Sequence, residues 1–577
     1  MGLFKTIAEG GQIWAHRVRM VRQVLRIALF VSIGSGLLFF GYRLCQIPRQ
    51  HYQAAWYYAK SNLLEGLEDK VSVGARFLET VERRQIAGKS ILVPTKQLAR
   101  ICKAGFNHFL LALSESFARA AALAFKVFGI SILFFLARGI AARRKKHVQG
   151  QKKTSEWRLA LRLKLSRKAS LFRIGSLPLV RGSETRHMLI SGGTGSGKTN
   201  CFHFLLPQIR EKGQRAVVVD STGEFVAKYF RSGKDILLNP FDQRAAPWHP
   251  WVECREPYDY KSLAQSFIPS SNGDDENFWR KAAQEVFSSV LQLQSVEQKM
   301  SAVVNHLLYE PLYALSKVLQ NTKAASFIDL SSEKTSGSIR AVAASFLECL
   351  ELFEDTSTPF SIRDWVQTPK DDSWLFIAST PGQRASLVPL MSAWFSLAMR
   401  SLLQMKPDLD RRLWFIADEF PSLNRLKDIE MCLTESRKFG GCGLLALQSP
   451  AQLESIYGRE VARIIIGNCS TRITFAENDP EIAARISKTF GEKESREFNE
   501  SISYGAHEMR DGVSLSSQNK VTPVVSATDI QSLKTHEAFV KLPGNLPIAK
   551  VVLPYQKISP IAVPFEKKEP LTSSLPF

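Results

Sequence analysis

Gly192-Gly193-Thr194-Gly195-Ser196-Gly197-Lys198-Thr199 is the stretch where residue type and spacing most directly specify chemistry. The spacing GxxxxGK[ST] supplies glycines that let backbone N–H groups wrap a polyphosphate, a lysine that meets the β- and γ-phosphates as a point charge, and a hydroxyl that can ligate Mg²⁺. Such a loop works only between a strand and a helix, and the apolar run His187-Met188-Leu189-Ile190-Ser191 stands where the strand is required. A second apolar run, Arg411–Ala417, delivers Asp418 and Glu419 at its end. Parallel α/β sheets gather their ligands at the carboxyl ends of strands. Asp418 is therefore expected in the Mg²⁺ shell, and Glu419 where it can polarise an attacking water. By itself an Asp-Glu pair often only caps a helix; with the phosphate loop it completes a nucleotide site for ATP and Mg²⁺. A third run, Gly443–Leu447, ends in Gln448, which would either sit beside the γ-phosphate or merely bond a loop. Before it, Glu435-Ser436-Arg437-Lys438-Phe439-Gly440-Gly441 reads as a helix end with a glycine stop, where Arg437 taken alone is a solvated terminal charge.

These residues need a scaffold of alternating strands and helices, and the chain supplies that alternation from about residue 186 onward, as a doubly wound parallel sheet requires. Further strands are expected at Ala216–Val219, Trp374–Ala378 and Ala549–Leu553.

The remaining sequence points to a membrane. Residues 24–45 are apolar apart from Arg26 and Arg43 near the ends, where long side chains can snorkel. Residues 120–137 form a second apolar stretch, interrupted by Lys126, with an interfacial or buried helix as its rival reading. About two dozen residues precede the first stretch and no small-residue cleavage site follows it, which argues against a cleaved signal peptide. Lys5, Arg17, Arg19, Arg22 and Arg26 lie before the first span, and Arg138, Arg143, Arg144, Lys145, Lys146, Lys152 and Lys153 after the second. Both ends are thus expected in the cytoplasm, with 46–119 on the far side of an inner membrane, although that loop is itself basic. A basic linker is expected over 138–185. The excess of 76 Lys+Arg over 54 Asp+Glu, a net +22, favours anionic partners, nucleic acid or a lipid surface. Eight cysteines show no CxxC pair and no zinc spacing, so reduced thiols and no structural metal are expected.

With these blocks in view, the chain resembles the type IV coupling proteins of conjugation, in their TraD branch. The resemblance is carried by His187 to Thr199, Asp220-Ser221-Thr222-Gly223-Glu224, Leu238-Asn239-Pro240-Phe241-Asp242-Gln243-Arg244 with Trp248, and Phe278-Trp279. It continues through Lys334 to Arg340, Asp418-Glu419-Phe420-Pro421-Ser422-Leu423, Glu435 to Gly441, Gln448 to Leu453, Tyr504-Gly505 and Arg510 to Ser514. The resemblance implies a RecA-like motor domain with an all-α domain inserted into it and an N-terminal two-helix transmembrane hairpin. Mapped onto this chain, the motor covers 186–256 and 356–553, the insertion 257–355, and a short tail, expected to be disordered, 554–577. It implies a homohexameric inner-membrane ATPase that recruits a relaxase and relaxosome and passes single-stranded DNA to a type IV secretion channel. It also assigns Arg437 as a finger on a neighbour's nucleotide and Gln448 as a γ-phosphate sensor. Three other readings share parts of the pattern: an FtsK-type double-stranded DNA pump, an effector-protein coupling ATPase, and a receptor that uses nucleotide only as a switch. A switch has no need of Glu419; a motor does.

Overall fold

The computed structural model describes residues 2–68, 81–86, 89–143, 146–271, 273–356, 358–369, 371–503 and 512–568. It contains two compact units: residues 1–146 with 498–516, and residues 147–497 with 517–577.

In the smaller unit the helices Gly2–Cys45 and Thr95–Arg143 carry the apolar stretches, with the helix Arg49–Glu68 and the hairpin Val81–Ile86/Lys89–Pro94 between them in sequence. The two long helices pair antiparallel. Ser32 Oγ donates to the Ala124 carbonyl at 2.6 Å, Gly36 faces Ala120 and Ala124, and Phe40 meets Phe117 edge-on at 6.1 Å. Small residues at the crossing let the backbones approach, the usual solution for helices that cannot rely on water to drive them together. The helical segments Val18–Cys45 and Arg100–Ile140 are long and apolar enough to cross a membrane. Their outer faces leave Phe30, Leu38 and Phe125 about four-fifths exposed. The second helix begins at Thr95, so part of what sequence assigns to the 46–119 loop is continuous with the span.

The larger unit is built on a ten-stranded sheet in the order 153–155, 548–552, 537–541, 471–474, 188–191, 441–447, 413–417, 215–220, 375–378, 236–238. From Thr471–Thr474 to Ile236–Leu238 every neighbouring pair is parallel. Glu537–Lys541 pairs antiparallel with both Thr471–Thr474 and Ile548–Val552. The central strands are buried on both faces, which is why they read as unbroken apolar runs rather than alternations. A third apolar helix, Arg384–Leu403, has the composition of a span but is packed inside this unit, with Trp394 and Phe395 fully buried.

Residues 257–355 leave the sheet after the edge strand Ile236–Leu238 and return before its parallel neighbour Leu375–Ala378. Every described regular element between them is helical, the longest being Asp274–Leu293 and Glu333–Leu347. Phe267 of this segment packs on Trp248 and on Phe287, and Trp248 packs on Trp394, so the helices share one core with a face of the sheet.

Two expectations need correction. The segment 153–185 is not a linker. Lys153–Ser155 forms the sheet edge, and the hairpin Ala169–Ile174/Leu177–Val180 buries Phe172, Ile174, Leu177 and Leu179, with Phe172 edge-on to Trp414. Nor are residues 554–568 a loose tail. Ile561 N–H donates to the Ala227 carbonyl at 2.8 Å, Gln243 N–H to the Glu566 carbonyl at 2.8 Å, and Lys568 N–H to the Phe241 carbonyl at 2.8 Å. Asp242 of the Asn-Pro-Phe-Asp block accepts from Glu566 N–H at 3.1 Å, and the Arg244 guanidinium donates to the Val563 carbonyl at 2.8 Å. The tail is a strap fixed by main-chain bonds.

Candidate functional site: a phosphate loop facing two acids

The strand Met188–Ser191 delivers the phosphate loop to the helix Lys198–Glu211. Two glycines are required by geometry. Gly197 has φ +115° and lies so close to His536 that a Cβ would stand 2.9 Å from the imidazole; Gly192 has φ +150°, and its Cβ would stand 2.7 Å from that of Phe475. The loop is braced from outside by Gly193 N–H donating to the Ala476 carbonyl at 2.8 Å and His536 N–H donating to the Ser196 carbonyl at 3.0 Å. Ser196 Oγ closes it internally on the Gly193 carbonyl at 2.7 Å.

Thr194, Gly195, Gly197, Lys198 and Thr199 line a cleft of about 330 Å³ together with Asp418, Glu419 and Gln448. Lys198 Nζ donates to the carbonyls of Gly192 (2.8 Å) and Gly193 (3.0 Å), so the ammonium is held within the loop that would receive a phosphate. Burial lowers its pKa, and Asp418, Glu419 and Glu477 oppose that shift. Thr199 Oγ1 donates to Asp418 Oδ2 at 3.1 Å. Burial pushes the Asp418 carboxyl up to about 6, against the Thr199 bond and Lys198. A hydroxyl and a carboxylate this close, beside a lysine that can neutralise phosphate, are the hard oxygen donors Mg²⁺ accepts together with phosphate oxygens. The residues therefore fit a magnesium nucleotide. Glu419 is engaged at both oxygens: Arg384 Nη2 donates to Oε2 at 3.1 Å and Gln448 Nε2 to Oε1 at 3.4 Å.

Arg437 is not among these residues. It sits exposed in the turn Ser436–Phe439, just before the first residue of the strand Gly441–Leu447, whereas Gln448 follows the last. Seven residues at about 3.3 Å each make that strand roughly 20 Å long. The arginine and its own chain's cleft thus lie at opposite ends of this central strand. Tyr504, Gly505, Arg510 and Asp511 lie outside the described residues.

Sequence reasoning missed several residues of the cleft. Glu224 closes the Asp220–Glu224 block and lines the wall. His203 Nε2 lies 3.0 Å from its Oε1 and Lys228 Nζ donates to the same oxygen at 2.6 Å, which together hold the half-exposed carboxyl down to about 2. Asp220 itself is consumed structurally, accepting from the N–H groups of Thr222, Gly223 and Val226. The block signals Glu224 in sequence, whereas Arg384, His536 and Tyr555 are brought in only by the fold.

Known proteins align with this architecture. The family model described as type IV secretion-system coupling protein DNA-binding domain matches residues 171–554. Coupling protein TraD of Escherichia coli (strain K12) is 34% identical over 583 residues, covering 97% of this chain and 79% of the relative. Conjugal transfer protein TraG of Escherichia coli is 24% identical over 55% of this chain and 57% of its own. Among solved structures, the conjugative coupling protein TrwBdeltaN70 with sulphate superposes with a TM-score of 0.66 at 27% identity, covering 74% of this chain and 98% of that one. TrwB in complex with ADP and Mg²⁺ gives 0.65 at the same identity and coverage. With a family model spanning most of its length and a relative aligned nearly end to end, this chain belongs to the coupling proteins of type IV secretion systems.

Proposed function

We propose that the chain is an inner-membrane motor that hydrolyses ATP to recruit single-stranded DNA with its bound relaxase and to drive it toward a conjugative secretion channel. The observation that carries this reading is the convergence of Lys198, Thr199, Asp418, Glu419 and Gln448 on one cleft. A nucleotide switch would need the first three; a water-directing carboxylate with a polar reporter on its second oxygen belongs to turnover. The relative TrwB has been solved with ADP and Mg²⁺ and with non-hydrolysable analogues of both ATP and GTP, which supports a nucleotide in the same place here.

In this mechanism Lys198 exchanges its bonds to the Gly192 and Gly193 carbonyls for phosphate oxygens. Thr199 and Asp418 hold Mg²⁺, which when bound neutralises phosphate charge. Glu419 orients the attacking water and accepts its proton. Gln448, already on Glu419 Oε1, turns between that oxygen and the γ-phosphate and so reports its loss to the strand Gly441–Leu447. Arg437, which cannot serve its own cleft, reaches the nucleotide of the next protomer in a homohexameric ring. The paired helices of the smaller unit anchor the motor as a transmembrane hairpin with both termini cytoplasmic, as their apolar outer faces and basic flanks support. DNA is held chiefly through phosphates, which a net +22 favours without base reading.

The test is ATP hydrolysis by the full chain with and without single-stranded DNA of unrelated sequences. Stimulation by all of them, lost in Lys198→Ala, supports the motor. Hydrolysis indifferent to DNA, or stimulated only by duplex, would remove the single-strand assignment.

A further inference from the structure

A second, separate group of residues meets the phosphate loop in the same cleft, and the chemistry above does not use it. His536 occupies the left-handed region at φ +69°, a conformation uncommon for a residue other than glycine. What imposes it is a double backbone tie: its N–H donates to the Ser196 carbonyl at 3.0 Å, and its carbonyl accepts from Leu553 N–H at 2.8 Å. The imidazole is thereby pressed against Gly197. Its Nδ1 is buried without a hydrogen-bond partner among the described residues. The Tyr555 ring lies 5.9 Å from it, tilted by 47°, and is 67% exposed at the mouth of the cleft.

Tyr555 is held there by a buried side chain. Asn200, 5% exposed and directly after Thr199, donates from Nδ2 to the carbonyls of Leu553 and Pro554, each at 3.2 Å. Its Oδ1 accepts from Gln556 N–H at 2.8 Å. The amide thus grips the chain on both sides of Tyr555, and both ends of that amide are engaged.

We infer that Tyr555 and His536 form the seat of the nucleobase, which they hold by ring contact, and that Asn200 is the positioning residue that keeps Tyr555 in place. The inference rests on the nucleotide reading of this cleft. With the phosphates on Lys198 and Thr199 and the terminal phosphate toward Asp418 and Glu419, the base belongs to the part of the cleft away from the two acids. His536, packed on Gly197, and Tyr555, whose chain neighbours are bonded to Asn200, line the same cleft through contacts with the loop and its helix rather than with either acid. The Asn200 amide is consumed by the strap and is not free to read a base edge, while the Tyr555 ring offers contact to a face that every purine presents. Adenine and guanine nucleotides are then accepted alike.

The test is equilibrium binding of ADP, GDP and inorganic tripolyphosphate, each with Mg²⁺, to the full chain purified in detergent. Tyr555→Ala should weaken ADP and GDP roughly tenfold, the loss typical of one aromatic contact to a base, and leave tripolyphosphate unchanged. Tyr555→Phe should restore both. Asn200→Ala should weaken ADP to a similar extent and add little in combination with Tyr555→Ala, since both changes remove one contact. Parental ADP affinity in Tyr555→Ala overturns the seat. So does an equal loss for ADP and tripolyphosphate, which would mean a distorted loop. A parent that binds none of the three removes the nucleotide reading and the inference together.

Discussion

His187 joins three parts of the motor, and its protonation should cost stability in a defined pH window. It directly precedes the strand that leads into the phosphate loop and is 2% exposed. Its Nδ1 lies 2.9 Å from Gly443 N of the strand that precedes Gln448, and its Nε2 lies 2.7 Å from the Leu433 carbonyl, in the helix leading to Arg437. A backbone N–H can only donate, so Nδ1 is the acceptor and Nε2 carries the proton given to Leu433. The ring is neutral, and burial lowers its pKa from 6.5 to about 4. The sign follows from that direction. Below pH 6.5 the unfolded chain binds a proton that the folded chain refuses until about pH 4. The contribution is therefore complete above pH 6.5 and lost as pH falls toward 4. Linkage gives a loss of about 0.8 kcal/mol at pH 6 and about 2 kcal/mol at pH 5. The perturbation is His187→Gln, which cannot ionise. At pH 7.5 it should be less stable by roughly 1–3 kcal/mol, because Gly443 N–H loses its acceptor. Urea unfolding followed by fluorescence, to which the buried Trp374 and Trp414 contribute, should show that gap shrinking by about 2 kcal/mol at pH 5. Ionisations common to both proteins cancel in the difference. A gap that stays constant from pH 7.5 to 5 would refute the reasoning.

The other expectations concern turnover, assembly and topology. Glu419→Gln should cut hydrolysis by about 10²–10⁴ while ATP affinity stays within severalfold, because its ion pair with Arg384 is about a third exposed and contributes at most about 1 kcal/mol; normal single-turnover rates would reassign the carboxylate. Lys198→Ala, which loses the cation that receives the phosphates, and Arg437→Ala, in which a withheld finger costs about 10³–10⁵, should regain hydrolysis when co-assembled. A mixture that stays dead despite proven co-assembly returns Arg437 to a solvated charge. A reporter fused after residue 80 should be active only outside the inner membrane and one at the C-terminus only inside, and cytoplasmic signal from both would eliminate the hairpin.

Much of the site was legible because its chemistry is local. Gly192 to Thr199 must be contiguous to wrap a phosphate, and Asp418, Glu419 and Gln448 each end a strand whose two buried faces announce it as an apolar run. Arg384 and Tyr555 carry no such mark: an arginine opening a helix and a tyrosine after a strand acquire meaning only when the sheet brings them to Glu419 and Asn200. The strap was misread because its order comes from main-chain bonds to Ala227, Phe241 and Gln243, and backbone groups have the same bonding capacity in any composition. The segment 153–185 was misread because its many charges masked the buried pairs Phe172/Ile174 and Leu177/Leu179. Arg384–Leu403 shows the converse failure, an apolar helix whose composition alone does not distinguish a protein core from a bilayer.

The motor proposed here moves DNA by hydrolysis in this cleft. The most direct measurement follows displacement of streptavidin from the end of a biotinylated single strand by the full chain, with ATP, with a non-hydrolysable analogue, and in Glu419→Gln. Displacement is expected with ATP alone, and it should be abolished in Glu419→Gln even though that variant still binds both DNA and nucleotide. Displacement that proceeds equally with the analogue or in Glu419→Gln would contradict it.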